Sequence, residues 1–201
     1  MSLSGTSPTR RLVAGLLAIG LASALSACTK SPSAPDPDTY PPTPPFASCV
    51  TVSSASAVTA ANGRTEPQLP DVTLPCAAGG PPVALRDLRG PLVLALWASW
   101  CQGCKQELPA LQRLADTGTV PVLGVITEDL RTGAPEWFAH DFGVSFPSVQ
   151  DPTGSLKQQL GETLLPLTII VRPDGKLITH RAPVLDDESL RALVAEHLDL
   201  P

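Results

Sequence analysis

From Leu69 onward apolar and polar positions alternate through Val72, Leu74 and Cys76, cross a Gly79-Gly80 turn and resume at Val83 and Leu85. A period of two interrupted by paired glycines predicts an N-terminal β-hairpin. After Pro91 the pattern changes. Leu92-Val93-Leu94-Ala95-Leu96-Trp97 is apolar at every position, as expected of a central parallel strand covered on both faces. Leu108, Leu111 and Leu114 then recur at helical spacing, so a strand hands over to a helix across the residues between them.

The same reading continues to the end of the chain. Val120 to Ile126 predicts a second buried strand, Trp137 to Phe142 a helix after Pro135, Phe146 to Val149 a short strand, and Leu156 to Leu160 a short helix. Leu167 to Val171 and Leu177 to His180 flank Pro173-Asp174-Gly175, which predicts a hairpin. A last helix begins near Asp186 or Asp187, either of which can cap it, and runs through Leu190, Leu193, Val194 and Leu198. Strands alternating with helices argue for an α/β sheet.

Upstream of Leu69 the patterning is of another kind. Arg10-Arg11 precede an apolar or small run from Leu12 to Leu25, which is shorter than the roughly 20 residues of a membrane span. A basic pair, a short apolar run and small residues read as an export signal over residues 1–27. Leu25-Ser26-Ala27-Cys28 resembles the bacterial lipobox, which implies cleavage before Cys28 and a lipid on its sulfur; an ordinary cut at Ala27 would leave a free thiol. Pro32, Pro35, Pro37, Pro41, Pro42, Pro44 and Pro45 follow among Ser, Thr, Ala and Asp. Such sequence stays extended, so residues 28–66 read as a tether and 67–201 as the folded domain. Val50 to Gln68 read as loosely structured.

Composition narrows the function. The 201 residues carry a net charge of -5, which leaves no basic stripe for phosphates and argues against nucleic acid as a partner. Apolar residues make up 43% of the chain, enough for a sizeable core although aromatic residues are only 4%. Of the five cysteines, Cys28 goes to the anchor and four remain. Four allow three connectivities, but Cys101 and Cys104 are near enough in sequence to pair naturally, which leaves Cys49 with Cys76. An exported protein sits where disulfides persist.

The candidate chemistry lies at Trp100-Cys101-Gln102-Gly103-Cys104. A thiol at a helix start faces unpaired backbone N–H groups and the positive end of the helix dipole, which favours the thiolate. Cys-x-x-Cys spacing brings the second sulfur within bonding distance, so the pair can cycle between dithiol and disulfide. On this geometry Cys101 is the exposed nucleophile and Cys104 the buried resolving thiol. Zinc uses the same spacing but needs two further ligands, and neither a second such motif nor a nearby His pair exists. His140, His180 and His197 share no motif, and Asp186, Asp187 and Glu188 read as a charged first turn. Trp97 and Phe142 are expected in the core, and Trp100 on an exposed docking surface. Cys49 and Cys76 read as a structural disulfide rather than a second redox centre, since neither opens a helix.

Gly90-Pro91, the run to Trp97, and Ala98-Ser99-Trp100-Cys101-Gln102-Gly103-Cys104-Lys105-Gln106-Glu107-Leu108-Pro109 together resemble the TlpA and ResA family of membrane-tethered thioredoxin-like reductases. Phe146-Pro147, Asp151, Leu165-Pro166-Leu167-Thr168 and Asp174-Gly175 extend the resemblance over about residues 67 to 200. It implies a thioredoxin fold with an N-terminal β-hairpin extension and an inserted βα unit before the cis-proline strand. It also implies that Pro166 is cis and that its neighbours, Leu165 among them, pair with substrate peptide beside the cysteines. Glu107 matches an acidic residue placed behind the second cysteine, where a carboxylate can take a proton from Cys104; the plainer reading is a solvated glutamate on a first turn. Two positions depart from the pattern. Ala95 stands where plain thioredoxins carry a buried acid, and Gln102-Gly103 lacks the proline many relatives have before the second cysteine.

The resulting expectation is an extracytoplasmic, lipid-anchored disulfide reductase of exported proteins, without a cofactor and with a membrane thiol as electron donor. Apocytochrome c before haem attachment is one substrate the resemblance suggests. An oxidase with the same motif at a higher potential is the alternative within this chemistry. A copper-binding assembly factor on the same fold is another, with His180 its only plausibly placed histidine. The Pro-x-x-x-Thr-x-x-Cys setting of peroxiredoxins is missing before Cys101.

Overall fold

The computed structural model describes residues 44–53, 69–181 and 186–198. Its elements follow in the order β1 (Thr73–Leu74), β2 (Val83–Ala84), β3 (Leu92–Trp97), α1 (Cys104–Thr117), β4 (Val122–Thr127), α2 (Ala134–Asp141), β5 (Ser148–Asp151), α3 (Ser155–Gln159), β6 (Leu167–Val171), β7 (Leu177–His180) and α4 (Asp187–Leu198). The signal segment, Cys28, the chain up to residue 43 and residues 54–68 lie outside the described residues. No helix among the described residues is long and apolar enough to cross a membrane.

Strands β5-β4-β3-β6-β7 form one sheet. β3 holds the middle because its six side chains are all buried, which only a strand covered on both faces can achieve. It runs parallel to β4 and antiparallel to β6, so the expected central strand is parallel on one side only. β5 and α3 form the inserted unit ahead of β6, and the β1–β2 hairpin pairs Leu74 with Val83 as the sequence predicts. The chain next to β1 also covers the β5 edge, where Ala77 N–H donates to Ser148 O at 2.8 Å and Gln150 N–H to Pro75 O at 2.9 Å.

Alternation along the strands divides the core in two. Val93, Ala95, Trp97, Val122, Ile126 and Ile170 face a layer built from α1, α2 and α4. Leu92, Leu94, Leu96, Leu123, Val125 and Ile169 face Val72, Leu74, Leu85 and Leu156 on the other side. Trp97 lies between Phe46 and Phe138, with ring centroids 6.2 and 5.7 Å away. Gly124 makes this possible: a Cβ there would come within 3.0 Å of the Trp97 Nε1 and 2.4 Å of the Ser148 Oγ. Phe142, expected in the core, is half-buried against Phe138.

Two expectations change. The short strand begins at Ser148 rather than Phe146, because the N–H groups of Ser145 and Phe146 donate to the Gln112 side chain of α1 at 2.7 and 3.1 Å and Pro147 has no N–H to give a ladder. The domain also extends upstream of residue 67. Residues 50–53 are helical, Phe46, Cys49 and Val52 are buried, and Ala47 N–H donates to Ser145 O at 2.7 Å. A Cys49–Cys76 disulfide fixes this segment to the chain beside β1, so the part of the expected tether at 44–53 is a packed element.

Candidate active site

Parallel pairing of Trp97 with Ile126 and antiparallel pairing of Leu96 with Leu167 bring three chain segments to one end of the sheet. They are residues 98–103 after β3, residues 128–131 after β4, and residues 163–166 before β6. Cys101 lies in the first segment and Cys104 opens α1, and the two form a disulfide. Cys104 N–H donates to Cys101 Sγ at 3.1 Å. That donor, with the helix dipole behind it, favours a thiolate on Cys101 once the bond is reduced. Cys101 is 4% exposed and Cys104 fully covered. The expectation of an exposed nucleophile is therefore corrected for the disulfide state: Cys101 is buried, and Trp100, 49% exposed, forms with Gln102 the open part of the loop.

One turn into α1, Glu107 is 2% exposed, so it is not the solvated residue of the plainer reading. Thr168 Oγ1 donates to its Oε1 at 2.6 Å. Burial raises the carboxyl from 4.5 to about 6, outweighing the lowering effect of the Thr168 hydrogen bond. Thr168 pairs with Ala95 across β3 and β6. Glu107 thus places a buried carboxyl from the helix against the strand pair that contains Ala95. Thr168 was not singled out from sequence as a site residue, although period-two alternation in β6 puts it on the same face as Ile170, under α1.

The Leu165–Pro166 peptide is cis, as the resemblance implies, with Leu165 half-buried and Pro166 buried; Gly90–Pro91 is also cis. Residues 128–131 hold the cysteine loop from the other side. Asp129 Oδ2 accepts Ser99 N–H at 2.6 Å, Arg131 Nη2 donates to Ser99 Oγ at 2.7 Å, and Trp100 Nε1 donates to Glu128 O at 3.1 Å. Sequence reasoning passed over all three residues, since Glu-Asp-Leu-Arg after a strand reads as an ordinary polar loop. His140, His180 and His197 lie on α2, β7 and α4. His180 pairs with Thr168, and its Nε2 is buried without a hydrogen-bond partner among the described residues. Cys49 and Cys76 pack in the layer on the opposite side of the sheet from Cys101 and Cys104.

Together these features make the chain a thioredoxin-fold protein with a dithiol–disulfide pair at the end of its central strand. It belongs to the AhpC/TSA family, whose model matches residues 66–180. Within that family it is similar to the thiol:disulfide interchange protein DsbE of Pseudomonas fluorescens biotype C, 30% identical over 119 residues, covering 59% of this chain and 66% of the relative. It is also similar to the thiol-disulfide oxidoreductase ResA of Bacillus subtilis strain 168, 29% identical over 104 residues, covering 49% of this chain and 57% of the relative. The chain thus spans less than two thirds of the length of these relatives. Among solved structures it matches MTB DsbF in its mixed oxidised and reduced forms, with a TM-score of 0.60, 27% identity, and 66% of this chain and 98% of that one covered. The resemblance to the TlpA and ResA group and the thioredoxin fold are borne out.

Proposed function

We propose that this chain is a thiol–disulfide oxidoreductase that reduces disulfides in exported proteins outside the cytoplasm, fed by a membrane thiol donor and tethered by lipid on Cys28. The observation that carries the chemistry is the Cys101–Cys104 disulfide at the start of α1, with Cys104 N–H on the Cys101 sulfur. The names borne by the relatives, thiol:disulfide interchange protein and thiol-disulfide oxidoreductase, support it. Peroxidase chemistry is disfavoured, since Leu94 and Ala98 stand where a peroxiredoxin has Pro and Thr.

In the reduced protein the Cys101 thiolate attacks one sulfur of the substrate disulfide. The substrate S–S bond breaks, a mixed disulfide forms on Cys101, and the other substrate sulfur leaves as a thiolate. Cys104 then attacks the Cys101 sulfur, the remaining substrate sulfur leaves, and the Cys101–Cys104 bond forms. Two electrons pass to the substrate; its first departing sulfur takes a proton from water, and its second takes the Cys104 proton by way of Glu107. Glu107 accepts the Cys104 proton in the second step. Trp100, Leu165 and Pro166 form the surface on which the substrate peptide rests, and apocytochrome c is a candidate substrate on the family resemblance.

Cys104→Ser tests the first step. Incubated in reduced form with a disulfide-bearing exported protein, it accumulates a Cys101-linked adduct that dithiothreitol releases, whereas Cys101→Ser accumulates none. No adduct on Cys104→Ser contradicts the mechanism. For the anchor, mass spectrometry of the mature protein should find lipid on an N-terminal Cys28; an unmodified Cys28 refutes it.

A further inference from the structure

Lys157 is a charged residue in an unexpected setting. It lies on the five-residue helix α3, and its side chain is only 8% exposed. Covered ammonium groups are rare without a partner. Lys157 has a partner: its Nζ lies 2.5 Å from Glu128 Oε2. Glu128 has a φ of 53°, a left-handed conformation that a non-glycine residue holds only when its surroundings impose it. Its N–H donates to Asp151 O at 3.0 Å, and Gly154 leaves the room, since a Cβ there would lie 2.6 Å from Glu128 Oε1.

Both ends of this ion pair reach the redox pair's surroundings. On one side Glu128 O accepts the Trp100 indole N–H and the adjacent Asp129 accepts Ser99 N–H, so Glu128 belongs to the loop that holds the cysteine segment. On the other, Lys157 Nζ donates to Thr163 O at 3.4 Å and Lys157 O accepts Glu162 N–H at 2.9 Å, immediately ahead of Leu164, Leu165 and Pro166. Exposed large hydrophobic residues flank both loops: Trp100 and Leu130 on one side, Leu164 on the other.

We propose that the Glu128–Lys157 ion pair is a positioning device that sets the spacing between the Trp100–Cys101 loop and the Leu164–Pro166 loop, and so governs docking of peptide segments with apolar residues around their cysteines. The inference rests on the exchange reading above. It assigns Glu128 and Lys157 no contact with the reacting sulfurs; they act through the loops they join. Small disulfides, which span neither loop, do not depend on the pair.

The test is made in the full chain, with insulin as the protein disulfide and 2-hydroxyethyl disulfide as the small one. Lys157→Met lowers kcat/KM for insulin about tenfold, mainly through KM, while exchange with 2-hydroxyethyl disulfide stays within about twofold of the wild-type rate. Lys157→Arg, which keeps the charge, recovers most of the loss. Should Lys157→Met fold poorly, Glu128→Gln/Lys157→Met removes both charges and carries the same expectation. Equal losses on both disulfides, or no loss on insulin, overturn the proposal. Wild-type protein inert towards both would instead sink the exchange activity itself, whatever Lys157 does.

Discussion

At Cys101 and Glu107 the side chains have complementary requirements: the sulfur needs its negative charge held, and the carboxyl needs a reason to take a proton. Cys104 N–H serves the first need and burial beside Thr168 the second. Because the folded state raises the Glu107 pKa from 4.5 to about 6, it binds that proton more tightly than the unfolded chain does. Stability from this source is full below the unfolded value and is lost as pH rises through about 6, a change of about 2 kcal/mol. Glu107→Gln still accepts the Thr168 hydroxyl but cannot titrate. Denaturant unfolding of the oxidised proteins between pH 4 and pH 8 should show this slope in the wild type and not in the variant; an unchanged slope would place the titration elsewhere. In turnover, release of the mixed disulfide should speed up as pH rises through about 6, and Glu107→Gln should slow it about 100-fold. Equal release rates would reduce Glu107 to a packing role.

Among the elements, the apolar runs were fully legible. Six buried positions fixed β3 and five fixed β6, and the spacing of Leu108, Leu111 and Leu114 gave the buried stripe of α1. The segment at 44–53 was missed because its average composition is that of a linker, although Phe46, Cys49 and Val52 repeat at the three-residue spacing of a helix face. The cysteines of the candidate site were legible from spacing alone. Its other half was not: the partnership of Glu107 with Thr168 spans 61 positions and depends on strand register, and Lys157 reads in sequence as an ordinary exposed lysine. A further prediction belongs at this scale. Cys49→Ser/Cys76→Ser frees the packed segment and should lower stability by roughly 2 to 4 kcal/mol, while leaving the Cys101–Cys104 potential unchanged. A shifted potential would show that the second disulfide takes part in redox chemistry.

For the molecule as a whole, the fold brings three loops to one end of a mixed sheet and fixes the thiols, the buried carboxyl and the X-Pro segment around them. The direction of electron flow is set by the relative stability of the dithiol and the disulfide. A reductase of exported proteins must hold a dithiol that readily gives up its electrons, because its surroundings oxidise thiols. The measurement that bears on this most directly is the reduction potential of Cys101–Cys104, by equilibration with dithiothreitol or glutathione with Cys49–Cys76 intact. The account predicts a value near or below that of thioredoxin, about -270 mV. A value near that of DsbA, about -120 mV, would contradict it and make the protein an oxidant.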